Sequence, residues 1–132
     1  VGEDEREQGP RQVLNLGHTV GHALEHEAGW LHGHAVAVGL VAACELSRAV
    51  APDTGGGADD LAERVRALLV RLGLPVKLPT GLAERVWRRM RWDKKARGGE
   101  LRFVLPRRPG EVVWGVPVGP ARVREVLHRM EG

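Results

Sequence analysis

The chain has 132 residues, 42% of them hydrophobic and 28% charged, with a formal net charge of +3. That length is one domain's worth and the balance is that of a folded globular protein, which excludes an intrinsically disordered chain. A lone cysteine, Cys44, excludes a disulfide framework and makes a reducing cytoplasm the natural compartment.

A first helix is predicted from about Pro10 or Arg11 to Ala28, with Gly29 ending it. At about 100° per residue, Val13, Leu16, Val20, Ala23 and Leu24 gather on one side and His18, His22, Glu25 and His26 on the other. A second helix runs from Gly33 or His34 to about Val50 and is apolar on nearly every side through Cys44, as expected of a central helix packed all round. Its clean apolar run, Ala35 to Cys44, is too short to cross a bilayer, and no signal peptide or lipidation motif is present, so no membrane partner is expected. Ala51 to Gly57 is rich in helix breakers and reads as a loop. From Asp59 to Leu72 an amphipathic helix is expected, with Leu61, Val65, Leu68 and Leu72 on its apolar face.

Gly73-Leu74-Pro75 ends that helix, and Leu82, Val86 and Met90 mark a shorter one with cationic outer faces, followed by Asp93-Lys94-Lys95. Leu101 to Leu105 and Glu111 to Trp114 have strand-like content and are predicted to form a hairpin around Pro106-Arg107-Arg108-Pro109-Gly110. Pro120 opens a last helix in which Val123, Leu127 and Met130 share a face. There is no internal repeat. The expected fold class is mainly α, with several helices and a small β-hairpin, and residues 1–132 read as one helical domain.

Five of the six histidines fall between His18 and His34. His18 and His22 are four apart, so a helix points both the same way, and the Gly29 turn can bring His32 toward that face. Neutral imidazole suits borderline metals such as zinc, but a catalytic centre needs a third protein ligand and one open position. Paired histidines also arise on helices as surface or core residues, so spacing alone leaves the two readings open. A second chemistry-bearing stretch, Arg85 to Arg97, carries seven basic residues against Asp93, with Trp87 and Trp92 among them. Such a mix can contact nucleic acid, yet no recognised binding module accompanies it, and small phosphorylated substrates draw the same charge, so no nucleic-acid partner is expected.

Several separated motifs carry a resemblance. Asp4-Glu5-Arg6-Glu7, Gly9, Arg11, Leu14-Asn15-Leu16-Gly17-His18-Thr19, Gly21-His22-Ala23 and Leu31-His32-Gly33 resemble the 3-dehydroquinate synthase family of sugar-phosphate cyclases, as do Leu74-Pro75, Asp93-Lys94-Lys95 and Leu101 to Pro106 further along. The resemblance covers nearly the whole chain and implies the C-terminal metal- and substrate-binding domain. It also implies that an N-terminal NAD-binding domain belongs to a longer protein, of which this sequence is a piece; Gly55-Gly56-Gly57 follows no predicted strand and is no dinucleotide fingerprint.

The implied reaction is cyclisation of 3-deoxy-D-arabino-heptulosonate 7-phosphate to 3-dehydroquinate with phosphate release, in the shikimate pathway to aromatic amino acids. It uses NAD, regenerated during turnover, and a divalent metal, zinc or cobalt. By motif position the resemblance makes His18 and His32 metal ligands, with a third, a glutamate, supplied by the N-terminal domain. His22 is implied as the catalytic residue that contacts the substrate phosphate and assists proton movement. Arg11 would grip the substrate carboxylate, Asn15 would hydrogen-bond substrate, and Lys94 or Lys95 would approach the phosphate. Asp4 and Glu5 read as fold-holding loop carboxylates, and Glu25 and His26 as residues behind the ligands or exposed. His34 stands where the family usually has glutamate, and a modest loss of metal affinity is expected from the missing charge. A homodimer of the intact protein is compatible with the resemblance.

Two other readings compete. A cyclitol-forming relative, a 2-deoxy-scyllo-inosose or 2-epi-5-epi-valiolone synthase, would act on a substrate without a carboxylate, and Arg11 argues against it. A truncated, non-catalytic binding or oligomerisation domain would need neither NAD nor a complete metal site. The isolated chain is expected to be inactive, since the NAD site and one ligand lie outside it.

Overall fold

Helix α1 (Leu16–Glu27) and helix α2 (His32–Val50) form the centre of the structure, joined by a turn in which Gly29 takes a φ of 69°. That left-handed conformation suits glycine, and it lets the Trp30 N–H return to the Leu24 carbonyl at 3.0 Å, closing α1 and reversing the chain. The computed structural model describes residues 13–50, 57–96, 101–108 and 110–132. Within them follow α3 (Gly57–Arg71), α4 (Leu82–Ala96), strands β2 (Arg102–Arg108) and β3 (Glu111–Pro117), and α5 (Pro120–Arg129). The mainly helical class with an antiparallel hairpin is as expected.

The first helix starts later than its periodicity suggested. Asn15 is its N-cap, in extended conformation, and its Oδ1 accepts the His18 N–H at 3.2 Å. The two residues before it, Val13–Leu14, are instead a short strand, β1, that pairs in parallel with β2 through Val13↔Arg102 and Leu14↔Phe103. The sheet is therefore three-stranded, in the order β1-β2-β3. Val13 is β-branched and lies outside the cap, so strand pairing wins over an unsupported helical turn.

The close fit of α1 on α2 rests on glycine. A Cβ built on Gly17 would lie 2.9 Å from the Gly39 carbonyl oxygen, and one on Gly39 would collide with the Gly17 carbonyl. Gly21 faces the Ala35 carbonyl in the same seam, where a Cβ would stand 3.5 Å away. Backbone thus meets backbone where the two helices cross. Leu16, Val20, Ala23 and Leu24 of α1 then reach the same core as Val38, Val41, Ala42 and Leu46 of α2.

That core extends to Phe103 and Leu105 of β2, Val86 and Met90 of α4, and Val123 and Leu127 of α5. Alternation along β2 buries Phe103 and Leu105 and leaves Val104 and Pro106 toward the other face. Helix α2 is long and apolar enough in composition to cross a membrane, but 56% of it is buried within this fold, as befits a core helix. It is not enclosed all round, however, because Val36 and Leu40 remain exposed along one stripe.

Among the described side chains of α3, Leu61, Ala62 and Leu69 are buried and Val65 half-buried, while Leu68, and Leu72 just past the helix end, are exposed. Leu61 and Val65 turn inward as spacing predicts, but toward the C-terminal end the buried position is Leu69 rather than Leu68, since both satisfy the same helical period and packing against α2 and β2 chooses between them. Cys44 lies beneath this helix with Leu61 and Ala62, and burial, aided by the charge of Glu45, pushes its thiol up to about 11. A thiol so protonated is a packing residue rather than a nucleophile.

Helix α4 continues through Asp93-Lys94-Lys95, which the sequence reading placed after it. Its start is capped from far away. Glu131 Oε2 accepts the N–H groups of Gly81 and Ala83, each at 3.0 Å, while Leu78 and Glu131 form a parallel bridge.

Candidate metal and substrate site

Helical geometry puts Asn15, His18, His22 and Glu25 on one exposed line of α1, successive turns of the same face. The glycine seam sets α2 alongside, and its residues His32, Val36, Leu40 and Ala43 face the same space, one per turn. Val104, Pro106 and Val112 of the hairpin close the third side. The resulting cleft, about 530 Å³, is large enough for a phosphorylated metabolite. One wall is polar and the floor is apolar. The exposed stripe of α2 thus has a place: Val36 and Leu40 are the floor beside the histidines.

His18, His22 and Asn15 come together with His32 in this cleft. Asn15 spends its Oδ1 on the helix cap, so its NH2 is what it can offer a ligand. The His22 ring stands 4.1 Å from that of His26, tilted by 37°, one turn further along α1. His32 Nδ1 lies 2.7 Å from Glu25 Oε2, a contact between the far end of α1 and the first residue of α2. The sequence places Glu25 behind the ligands or at the surface, and its pairing with His32 across the turn is what spacing does not resolve. The glycine seam is a further feature not drawn from the sequence, although Gly17 and Gly21, one turn apart on α1 and facing Gly39 and Ala35 of α2, are a legible signal of close helix approach.

His34 goes elsewhere. It lines a shallow pocket with Trp30, Leu31, Gly73, Leu74 and Pro75, apart from the cleft that holds His32. Two residues advance a helix by about 200°, so His32 and His34 face nearly opposite ways. Arg11, Asp4 and Glu5 lie outside the described residues, and so do the side chains of Lys94 and Lys95, whose backbone forms the last turn of α4. On the same helix, Arg85 and Arg89 reach toward Glu27 of α1 at 3.7 and 3.9 Å.

The donor set suits a borderline divalent metal in kind, two imidazoles with a carboxylate against the back of one of them. Among the described residues no group of three or more His, Cys, Asp or Glu side chains could hold a metal ion. A closed set would need a ligand from beyond them.

Residues 1–96 match the family described as 3-dehydroquinate synthase C-terminal. The chain belongs to that family. It is 50% identical over 132 residues to a 3-dehydroquinate synthase of Bordetella pertussis, covering 98% of this chain and 36% of that protein. Similar relatives are the 3-dehydroquinate synthases of Nitrosospira multiformis, 45% identical over 130 residues (96% of this chain, 34% of the relative), and Symbiobacterium thermophilum, 46% over 136 residues (98% and 37%). The chain therefore spans about a third of the length of the curated relatives it matches.

Proposed function

We propose that this chain is the C-terminal part of a 3-dehydroquinate synthase and supplies one wall of its active site. The observation that carries the reading is the single cleft holding Asn15, His18, His22 and His32, in a chain whose family and relatives bear that name. The reaction is cyclisation of 3-deoxy-D-arabino-heptulosonate 7-phosphate to 3-dehydroquinate with loss of phosphate, a cytoplasmic step of aromatic biosynthesis. When bound, NAD supplies a reversible hydride acceptor and a divalent metal, zinc or cobalt, supplies a Lewis acid.

This chain's residues divide the remaining tasks. His18 and His32 would hold the metal from facing helices. His22, one turn beyond His18 and exposed in the cleft, donates to the phosphate and carries a proton between its ring nitrogen and the substrate. The Asn15 NH2 orients a substrate hydroxyl from the mouth of α1. Arg11 takes the carboxylate and Lys94 or Lys95 the phosphate, charge-assisted contacts that discriminate an acid phosphate from a neutral sugar. Val36 and Leu40 exclude water from beneath.

The test is to let this chain replace the corresponding C-terminal part of the Bordetella pertussis relative and to assay phosphate release. With NAD and zinc or cobalt, turnover of the seven-carbon keto acid phosphate is expected, and His18→Ala or His32→Ala should abolish both metal retention after dialysis and most activity. A folded, metal-loaded hybrid that ignored this substrate but cyclised sedoheptulose 7-phosphate would instead identify a cyclitol-forming enzyme.

A further inference from the structure

Glu25 and His32 form a pair whose partners differ in freedom. The Glu25 side chain is 32% exposed and sits on α1, which is packed into the core, whereas the His32 side chain is 79% exposed at the very start of α2. An exposed pair of this kind adds little to stability, so its consequence lies in what it does to the ring. A carboxylate only accepts hydrogen bonds. A neutral His32 facing Glu25 through Nδ1 must therefore carry its proton on Nδ1, which leaves Nε2 with an open lone pair. Left to itself, a neutral imidazole holds its proton mostly on Nε2, the atom that would then be closed to a metal.

We propose that Glu25 is the positioning residue of His32, holding the ring in its Nδ1–H form so that Nε2 is presented to the cleft as a metal-binding atom; this rests on the metal role assigned to His32 above. The backbone makes the pairing possible. The left-handed Gly29 and the Trp30 N–H to Leu24 carbonyl bond turn the chain within seven residues, and the Gly17–Gly39 seam holds α2 at the distance where a glutamate can span the gap. The pair is then built from both sides. His18 has no such carboxylate among the described residues, so the two rings differ in what orients them.

Nitrogen-15 spectra of the chain separate the alternatives, because a protonated ring nitrogen and an unprotonated one resonate far apart. At a pH where the ring is neutral, His32 should show Nδ1 protonated and Nε2 bare. Glu25→Ala should move the proton to Nε2, and Glu25→Gln, whose amide oxygen can still accept, should keep most of the original form. Zinc titration followed on the same resonances should shift His32 Nε2 and a nitrogen of His18 together, and Glu25→Ala should require roughly 10- to 100-fold more zinc. An unchanged proton position in Glu25→Ala overturns the inference whatever zinc does. If the proton moves as stated but zinc leaves both wild-type rings untouched, the hold of Glu25 on the ring stands and the metal reading falls.

Discussion

Among the described residues two histidine–glutamate pairs of similar length occur, and they serve different ends. His32 and Glu25 meet at 2.7 Å, and His128 and Glu84 at 2.9 Å. Around Glu84 the carboxylate is shared, since Arg124 also reaches it at 3.2 Å, and both of its partners come from α5 while it stands on α4. That pair is a clamp between helices. Around Glu25 the carboxylate has one partner among the described residues, and that partner's ring lines a cleft with the imidazoles of His18 and His22. The lesson is that a histidine–carboxylate contact acquires its meaning from what lies beyond the ring: a cleft with a further metal-type donor in one case, a second cation on the same carboxylate in the other.

The comparison can be broken most severely at the seam that creates the cleft. Gly39→Ala should force α1 and α2 apart and cost about 2–3 kcal/mol or more in urea unfolding, since the new methyl meets backbone that cannot yield. Gly33→Ala, where a Cβ finds open space on the same helix, is the control and should cost nothing or stabilise slightly. Equal losses in the two variants would show that helix propensity rather than close approach decides the effect.

Next in size is the cap that anchors the clamp side of the molecule. Glu131→Ala leaves the Gly81 and Ala83 N–H groups without their acceptor and should destabilise by about 1–2 kcal/mol, with Glu131→Gln recovering part of it. Amide exchange at Ala83 should accelerate in the alanine variant. A midpoint unchanged from wild type would mean that water replaces the carboxylate without cost.

A smaller effect, and one that depends on pH, belongs to Glu84. The hydrogen bond from His128, and then the Arg124 charge and hydrogen bond, hold its carboxyl below the usual carboxylate range. A depressed folded value means that the folded state prefers the ionised form, so this stabilisation is fully present above the ordinary value of 4.5 and is lost as pH falls through the lower folded value. The gap in stability between wild type and Glu84→Gln should thus be flat above that value and narrow below it. A gap that widened on acidification would contradict the assignment. Smallest of all should be the stability change of Glu25→Ala, within about 0.5 kcal/mol as for other exposed pairs, despite its expected effect on the ring of His32. A large loss there would make the pair a second clamp and erase the distinction.

The residues of the candidate site were legible to different depths. His18 and His22 were readable from spacing, because a helix repeats within a few residues and needs no distant information to align them. The Asn15 cap is equally local, yet it moved the start of α1 inward, and Val13–Leu14 went to a strand whose partner lies about ninety residues away. The exposed stripe of α2 was hidden for the opposite reason: every side of that segment is apolar, so composition could not say which side the cleft would leave open.

What the sequence determined by itself is the set of helices, their polar and apolar faces, the hairpin and the family motifs, all of which follow from periodicity, breakers and short-range order. Tertiary structure alone decided that α1 and α2 cross at Gly17 and Gly39, that Glu25 meets the ring of His32 while His34 faces another pocket, that α3 buries Leu69 rather than Leu68, and that Glu131 caps a helix about fifty residues before it. The reason is physical. A helical face is fixed by the rise and turn of its own backbone, but which of several equivalent faces is buried, and which carboxylate reaches which ring, depends on the summed packing of segments that the chain brings together only when it folds.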